Sequence, residues 1–234
     1  MTKLVFLYTL NGTELIMSKK QQIIDHAVSL FNQKGYAAVT LFELANELSM
    51  SRGNLTYHFK DKEMLLGVIA QQMWDQIELE RSKSRQLPSF ENLQSEVRLY
   101  YKYQRQYKFI FTDPHVLKHK IIVKQFRQMT SQSIADIKAS IAFSVELGNM
   151  RPESYPGLYN NMALTTWMLT FFWLPQQVIR GEKTTEDGDR MIWSLVLPHM
   201  TEKGLASFKK FFGEEVLHNL GEPFNLDIDS LVRI

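Results

Sequence analysis

The sequence predicts an all-α protein, with a small three-helix domain near its N-terminus and a larger helical domain after it. Three observations predict this. Apolar residues recur at three- and four-residue spacing through most of the chain. Hydroxyl side chains stand at the expected helix starts, and glycines stand just past several expected ends. The alternation of Val, Ile and Thr that would mark strands is nowhere sustained.

Residues 1–17 read as a leader or a loosely attached arm. An apolar patch, Leu4 to Leu10, precedes Asn11-Gly12. It is short, one lysine precedes it and no small-residue cleavage site follows, so it lacks the form of a signal peptide. Either Met17 is the natural start, or this stretch is an arm. Ser18-Lys19-Lys20-Gln21 is a capping-box pattern. It opens a helix in which Ile23, Ile24, Ala27, Val28, Leu30 and Phe31 recur at helical spacing, closed by Lys34-Gly35. Thr40-Leu41-Phe42-Glu43 is a second box, opening a short helix with Leu41, Leu44, Ala45 and Leu48. Ser49-Met50-Ser51 breaks the chain. Ser51 then caps a third helix, Arg52 to Phe59, with Leu55 and Phe59 on one face. After Lys60-Asp61 a long helix is expected from Lys62 to Ser82.

Ser84 to Ser89, with Pro88, is the clearest linker. Beyond it, helices are expected over 90–106, 113–119, 120–147, 156–180 and 187–213, with Pro198 kinking the last. The expected domains are 18–66 and 67–213, with a tail over 214–234 that carries no strong signal.

Composition excludes several classes. No apolar run reaches the ~18–20 residues of a membrane span; the longest, Trp167 to Pro175, is interrupted by Thr170. There are no cysteines, so neither disulfides nor thiolate metal sites can form. That fits a reducing cytoplasm. A net charge of +2 gives no independent support for nucleic-acid binding, which must rest on local pattern.

Three short helices followed by a long one form the frame of a helix-turn-helix domain. A recognition helix must be short, packed through one face and polar on the other. Leu55 and Phe59 supply the packed face; Arg52, Asn54, Thr56, Tyr57 and His58 supply the polar one. Residues 22–66 resemble the DNA-binding region of the TetR (tetracycline repressor) family. The resemblance is carried by Ile24, Ala27, Leu30-Phe31, Gly35-Tyr36, Thr40, Leu44-Ala45, Ser51, Gly53, Leu55, Tyr57-His58-Phe59 and Lys62-Glu63-Leu65-Leu66. Two positions depart from the family pattern. Ser49 stands where a turn glycine is usual, and Thr56 stands where a phosphate-holding tyrosine is usual. Tyr57 is the residue placed to compensate.

The resemblance implies a ligand-responsive transcriptional regulator, a repressor, that binds a near-palindromic double-stranded DNA operator as a homodimer. The alternative is a helical protein-interaction module of the same fold without specific DNA binding. The resemblance implies that Thr40 and Lys62 hold phosphates; Ser51, Gly53 and Thr56 belong to the same candidate DNA-binding set, the alternative for Gly53 being that it simply lets the helix approach the backbone closely. Arg52 and Asn54 are the candidates for base edges, since arginine pairs with guanine and asparagine with adenine. Tyr57 and His58 suit either task.

It also implies dimerisation through the last two long helices. The candidate interface is Met162, Thr166, Leu169, Phe172 and Trp173 with Ile192, Leu195 and Val196. Tyr100, Tyr103 and Tyr107 fall at i, i+3 and i+7. With Phe111, Phe126, Met129, Trp167 and Phe171 they are the candidate lining of a pocket for a small, largely hydrophobic effector. His115 and His119 share a helix face near Asp113, but no HExxH and no third ligand accompany them. They read as surface histidines, and no metal, cofactor or catalytic residue is expected.

Overall fold

The computed structural model describes residues 18–84, 89–181 and 188–220, with the backbone pairing of Thr9–Leu10 against Thr13–Glu14. Most of the expected leader and the far tail lie outside these residues. The helices are α1 (Lys19–Lys34), α2 (Leu41–Glu47), α3 (Arg52–His58), α4 (Lys62–Ser84), α5 (Phe90–Gln106) and α6 (Lys108–Thr112). They continue as α7 (Pro114–Leu117), α8 (Lys120–Glu146), α9 (Leu158–Ile179), α10 (Asp189–Val196), α11 (Glu202–Phe212) and α12 (Glu215–Leu220). Among the described residues, no helix is long and apolar enough to cross a membrane.

The chain divides into two compact units. One holds residues up to Gln76 together with Tyr107–Val123; the other holds Ile77–Gln106 and the chain from Lys124 onward. Helix α4 begins in the first unit and ends in the second.

In the first unit, Ser18, Thr40 and Ser51 each accept a hydrogen bond from the backbone N–H three residues on, at 3.1–3.2 Å. These bonds satisfy donors that a helix N-terminus otherwise leaves unpaired. The core takes Ile23, Ala27 and Phe31 from α1, Leu44 from α2, Leu55 beside Phe59, and Leu65, Leu66 and Ile69 from α4. Phe109, from the distant segment, packs its ring 5.1 Å from that of Phe31. Asp113 spends both carboxylate oxygens on backbone, accepting from Tyr36 N at 2.8 Å and from His115 N at 2.9 Å.

Helix α6 is not anticipated from spacing, because Phe109-Ile110-Phe111 is contiguous and all three are buried. The expected single helix over 187–213 is two. Helix α10 runs into a 3-10 turn at Leu197–His199, Met200 turns extended, and Thr201 caps α11. Pro198 therefore ends a helix rather than kinking one. Inside the expected tail, Val216, Leu217 and Leu220 of α12 pack on Trp193 and Phe208.

Candidate nucleic-acid interface and internal cavity

Helix α3 is anchored by Leu55 and Phe59, both wholly buried. Arg52, Gly53 and Asn54 are exposed, and Tyr57 is 85% exposed. Thr40 and Ser51 are exposed at the N-termini of α2 and α3, where free N–H groups also favour an anion. The Tyr57 and His58 rings meet edge to face at 5.3 Å. Thr56 behaves differently from a phosphate-holding tyrosine. Its hydroxyl is directed at its own helix, 3.0 Å from Arg52 O and 3.2 Å from Gly53 O.

The turn between α2 and α3 passes through Ser49 at φ +52°, the one non-glycine residue in left-handed conformation among those described. Its backbone N–H donates to Asn46 O at 3.0 Å. Crowding at Cβ costs ~1–2 kcal/mol in this conformation, and glycine removes it while adding chain entropy. Ser49→Gly is therefore expected to raise stability by about 0.5–1 kcal/mol, read as a higher urea midpoint. An unchanged or lower midpoint refutes the strain.

Lys62 is tied more tightly than a phosphate contact needs. Its Nζ donates to Tyr36 O and to Val39 O, each at 2.8 Å, and lies 4.3 Å from the Tyr36 ring centre. Burial pushes its pKa below the ordinary lysine value. The side chain clasps the α1–α2 connection. Lys62→Met is expected to cost about 2 kcal/mol of stability, since charged hydrogen bonds contribute ~1.5–3 kcal/mol each and Lys62 is partly exposed. A variant as stable as the parent by urea denaturation leaves only a phosphate role.

The second unit holds a partly open cavity of about 330 Å³ between α5, α8, α9 and α10. Of the expected pocket residues, Tyr100, Trp167 and Phe171 line it. The others do not. Phe126 lies behind Phe171 at 6.5 Å, and the Tyr103 hydroxyl donates to Glu80 Oε1 at 2.6 Å. Tyr107 falls beyond the end of α5, so the i, i+7 face is not continued. Its hydroxyl donates to Gln76 Oε1 at 3.4 Å in the first unit, where Phe111 packs on Trp74. Met129 is half-buried on α8, away from the lining.

Sequence reasoning missed the α8 wall. Ser133, Ile137, Ser140, Ile141 and Ser144 share one helical face, and the small serines leave the space. The seven- and four-residue spacing of these serines was the available signal.

The expected dimer residues divide as well. Thr166, Ile192 and Val196 line the cavity, while Met162 and Leu195 pack with Ile141 and Met150 inside the unit. Tyr101 donates its hydroxyl to Leu169 O at 3.2 Å, and the Trp173 ring lies against Gly188. Phe172 remains 51% exposed, beside Leu164 at 44%, Met168 at 50% and Ile179 at 85%. These four form the exposed apolar stripe of α9, which keeps Phe172 from the expected interface and otherwise runs through Leu164, Met168 and Ile179.

Beside the cavity, Arg81 of α4 is buried in a carboxylate cluster. It lies 2.7 Å from Asp136, 2.8 Å from Glu96 and 3.5 Å from Glu78. Burial alone pulls its pKa down, but the carboxylates of Glu96 and Asp136 push it up, so it stays charged. Burial also pushes the Tyr100 phenol up to about 12, keeping it neutral.

Comparison with known proteins agrees with this layout. Residues 23–69 match the family described as bacterial regulatory proteins, tetR family, and residues 56–208 match the TetR family described as bacterial transcriptional repressor. An uncharacterized HTH-type transcriptional regulator, YerO of Bacillus subtilis, is 48% identical over 48 residues, 20% of this chain and 17% of its own length. IcaR of Staphylococcus aureus, the negative transcriptional regulator of the icaADBC biofilm operon, is 39% identical over 46 residues, 20% of this chain and 25% of its own length. The chain thus spans a quarter or less of these curated relatives. A TetR-family regulator from Marinobacter aquaeolei superposes with a TM-score of 0.73 at 21% identity, covering 87% of this chain and 98% of that one. SmeT, the repressor of a Stenotrophomonas maltophilia multidrug efflux pump, superposes in its triclosan complex with a TM-score of 0.60 at 13% identity, over 78% of this chain and 92% of that one. At these identities the likeness is one of fold.

Proposed function

Because this chain belongs to the TetR family of bacterial transcriptional regulators, we propose that it binds a near-palindromic operator as a homodimer and releases it when a small, largely apolar effector fills the cavity. The observation that carries the DNA reading is helix α3 itself: two buried anchors beneath an exposed row of Arg52, Asn54 and Tyr57. Arg52 and Asn54 read base edges in the major groove. Thr40, Ser51 and Tyr57 meet phosphates, which set register without reading sequence. Lys62 serves them by holding the loop that leads to Thr40.

Dimerisation rests on the stripe of Leu164, Met168, Phe172 and Ile179. Exposed apolar patches of this kind mark interaction sites. A twofold pair of α3 helices then meets half-sites about one DNA turn apart, roughly 34–36 Å. An effector that prefers the other spacing shifts the population off DNA; equal affinity for both states does nothing. Helix α4 runs from the first unit to the Arg81 cluster and is the element suited to carry that preference. The protein works on DNA in the bacterial cytoplasm, and we assign it no catalytic step.

The test is binding to DNA from upstream of its own gene, at two salt concentrations, for the parent and Arg52→Ala. The parent is expected to bind tightly and salt-sensitively. Arg52→Ala is expected to lose ~1–3 kcal/mol and to discriminate less at one base position in each half-site. Weak, sequence-indifferent binding by both proteins favours the interaction-module reading, toward which the self-bonded Thr56 hydroxyl leans.

A further inference from the structure

We propose that the cavity of the second unit takes a hydrophobic ammonium, a protonated amine on an aliphatic or aromatic body. The proposal rests on the effector reading above and narrows it to a chemical class. The first observation is charge. Among the described residues, the charged side chains lining the cavity are Glu91, Glu96 and Asp189, and no lysine, arginine or histidine lines it. Arg81, behind the wall, neutralises one of its three carboxylate neighbours, and Arg98 reaches Asp189 only at 3.8 Å. The charged groups on the lining itself are therefore all carboxylates.

The second observation is independent of charge. Thr166 is 8% exposed and lines the cavity, yet its Oγ1 has no hydrogen-bond partner. Threonine inside a helix commonly donates to the carbonyl four residues back, as Thr170 does to Thr166 O at 2.9 Å. Thr166 makes no such bond. Asn149 Oδ1, on another wall of the same cavity, is likewise buried and unpartnered. An orphaned buried polar atom costs ~1–3 kcal/mol, so these atoms call for a guest that can satisfy them. Thr166 Oγ1 and Asn149 Oδ1 accept hydrogen bonds, which an ammonium donates, while the unpartnered indole N–H groups of Trp167 and Trp193 on the same lining ask for an acceptor atom on the body of the guest. The aromatic walls, Tyr100, Trp167 and Trp193 among them, suit both the apolar body and the positive head. An anion meets the carboxylates unfavourably, and a plain hydrocarbon leaves Thr166 and Asn149 unpaired.

Octylammonium, octan-1-ol and octane-1-sulfonate share one chain and differ in head charge. Each is titrated into the full chain at pH 7, where the amine is protonated. Binding is followed by calorimetry and by tryptophan fluorescence, since Trp167 and Trp193 line the cavity. Octylammonium is expected to bind at least about tenfold tighter than the alcohol, with the sulfonate weakest. Asp189→Asn and Glu96→Gln are each expected to cut the ammonium-to-alcohol affinity ratio several-fold. Asp189→Asn leaves the Arg81 cluster intact and so guards against a misfolded Glu96 variant. Alcohol binding as tightly as ammonium, a preference for sulfonate, or an affinity ratio unmoved in both variants overturns the ammonium class and leaves the effector cavity standing. Failure of all three probes to bind overturns the effector reading with it.

Discussion

Replacing Arg81 by leucine is expected to destabilise the second unit by about 3 kcal/mol, read as a fall in the urea midpoint. Arg81 is 7% exposed and lies within 2.8 Å of both Asp136 and Glu96. Breaking a buried pair by removing one partner costs ~3–5 kcal/mol, because the remaining charge is left uncompensated. The low end of that range applies here. Glu96 is 34% exposed and Asp136 36%, so water recovers part of the loss. Against this, leucine gains apolar burial, and its shape follows the arginine stem only partway. The electrostatic loss wins because two carboxylates, not one, lose their partner. Arg81→Lys is expected to recover part of the stability. It keeps the charge but offers one point cation where the guanidinium meets Asp136 and Glu96 through Nη2 and reaches Glu78 through Nη1. A leucine variant with an unchanged midpoint would show that the cluster is solvated rather than locked. The cavity should respond too, since Glu96, Tyr100 and Ser133 belong both to its wall and to the surroundings of Arg81.

The first unit was largely legible because its signals are local. Ser18, Thr40 and Ser51 announce helix starts through bonds that reach only three residues, and Leu55 and Phe59 define a face by spacing alone. Gly35, at φ +82°, closes α1 as a helix-ending glycine should. The same kind of signal misled at Lys62. Its position at a helix start was readable, but its bonds go to Tyr36 and Val39, more than twenty residues away. Periodicity says that a helix such as α9 is apolar on two sides without saying which side faces inward. Hence Thr166, Ile192 and Val196 were expected at a subunit interface and instead line the cavity, while Leu164 and Met168 were overlooked. The cavity itself depends on which side chains are too small to fill a space. That is a property of four helices together, and the serines of α8 carry it with no apolar pattern to mark them.

Gly204→Ala shows how far such long-range contact can override a local rule, and it is expected to cost about 3 kcal/mol or more. Gly204 is in the first turn of α11, where alanine normally improves a helix by roughly 0.5–1 kcal/mol. A Cβ built there would lie 2.0 Å from Asn149 O and 2.9 Å from Asn149 C, both backbone atoms. No rotamer change relieves a clash with backbone, so the chain itself must move. That backbone is pinned. Thr201 N donates to Asn149 O at 3.0 Å, Arg151 N donates to His199 O at 2.9 Å, and the Thr201 hydroxyl donates to Gly148 O at 2.7 Å. Lys203 Nζ adds a bond to Leu147 O at 2.7 Å. Overpacking a well-packed site costs ~1–3 kcal/mol, and a clash with a pinned strand of backbone belongs at or above the top of that range. Asn149, Met150 and Met200 all line the cavity, so effector binding should weaken together with stability. Gly53→Ala is the matched control, because a Cβ there meets nothing within 4 Å. Urea denaturation should find Gly53→Ala as stable as the parent or slightly more so, and Gly204→Ala far less. Equal midpoints for the two variants would mean that the 147–151 connection does not hold against α11 in solution, and that the cavity is closed there by something other than this contact.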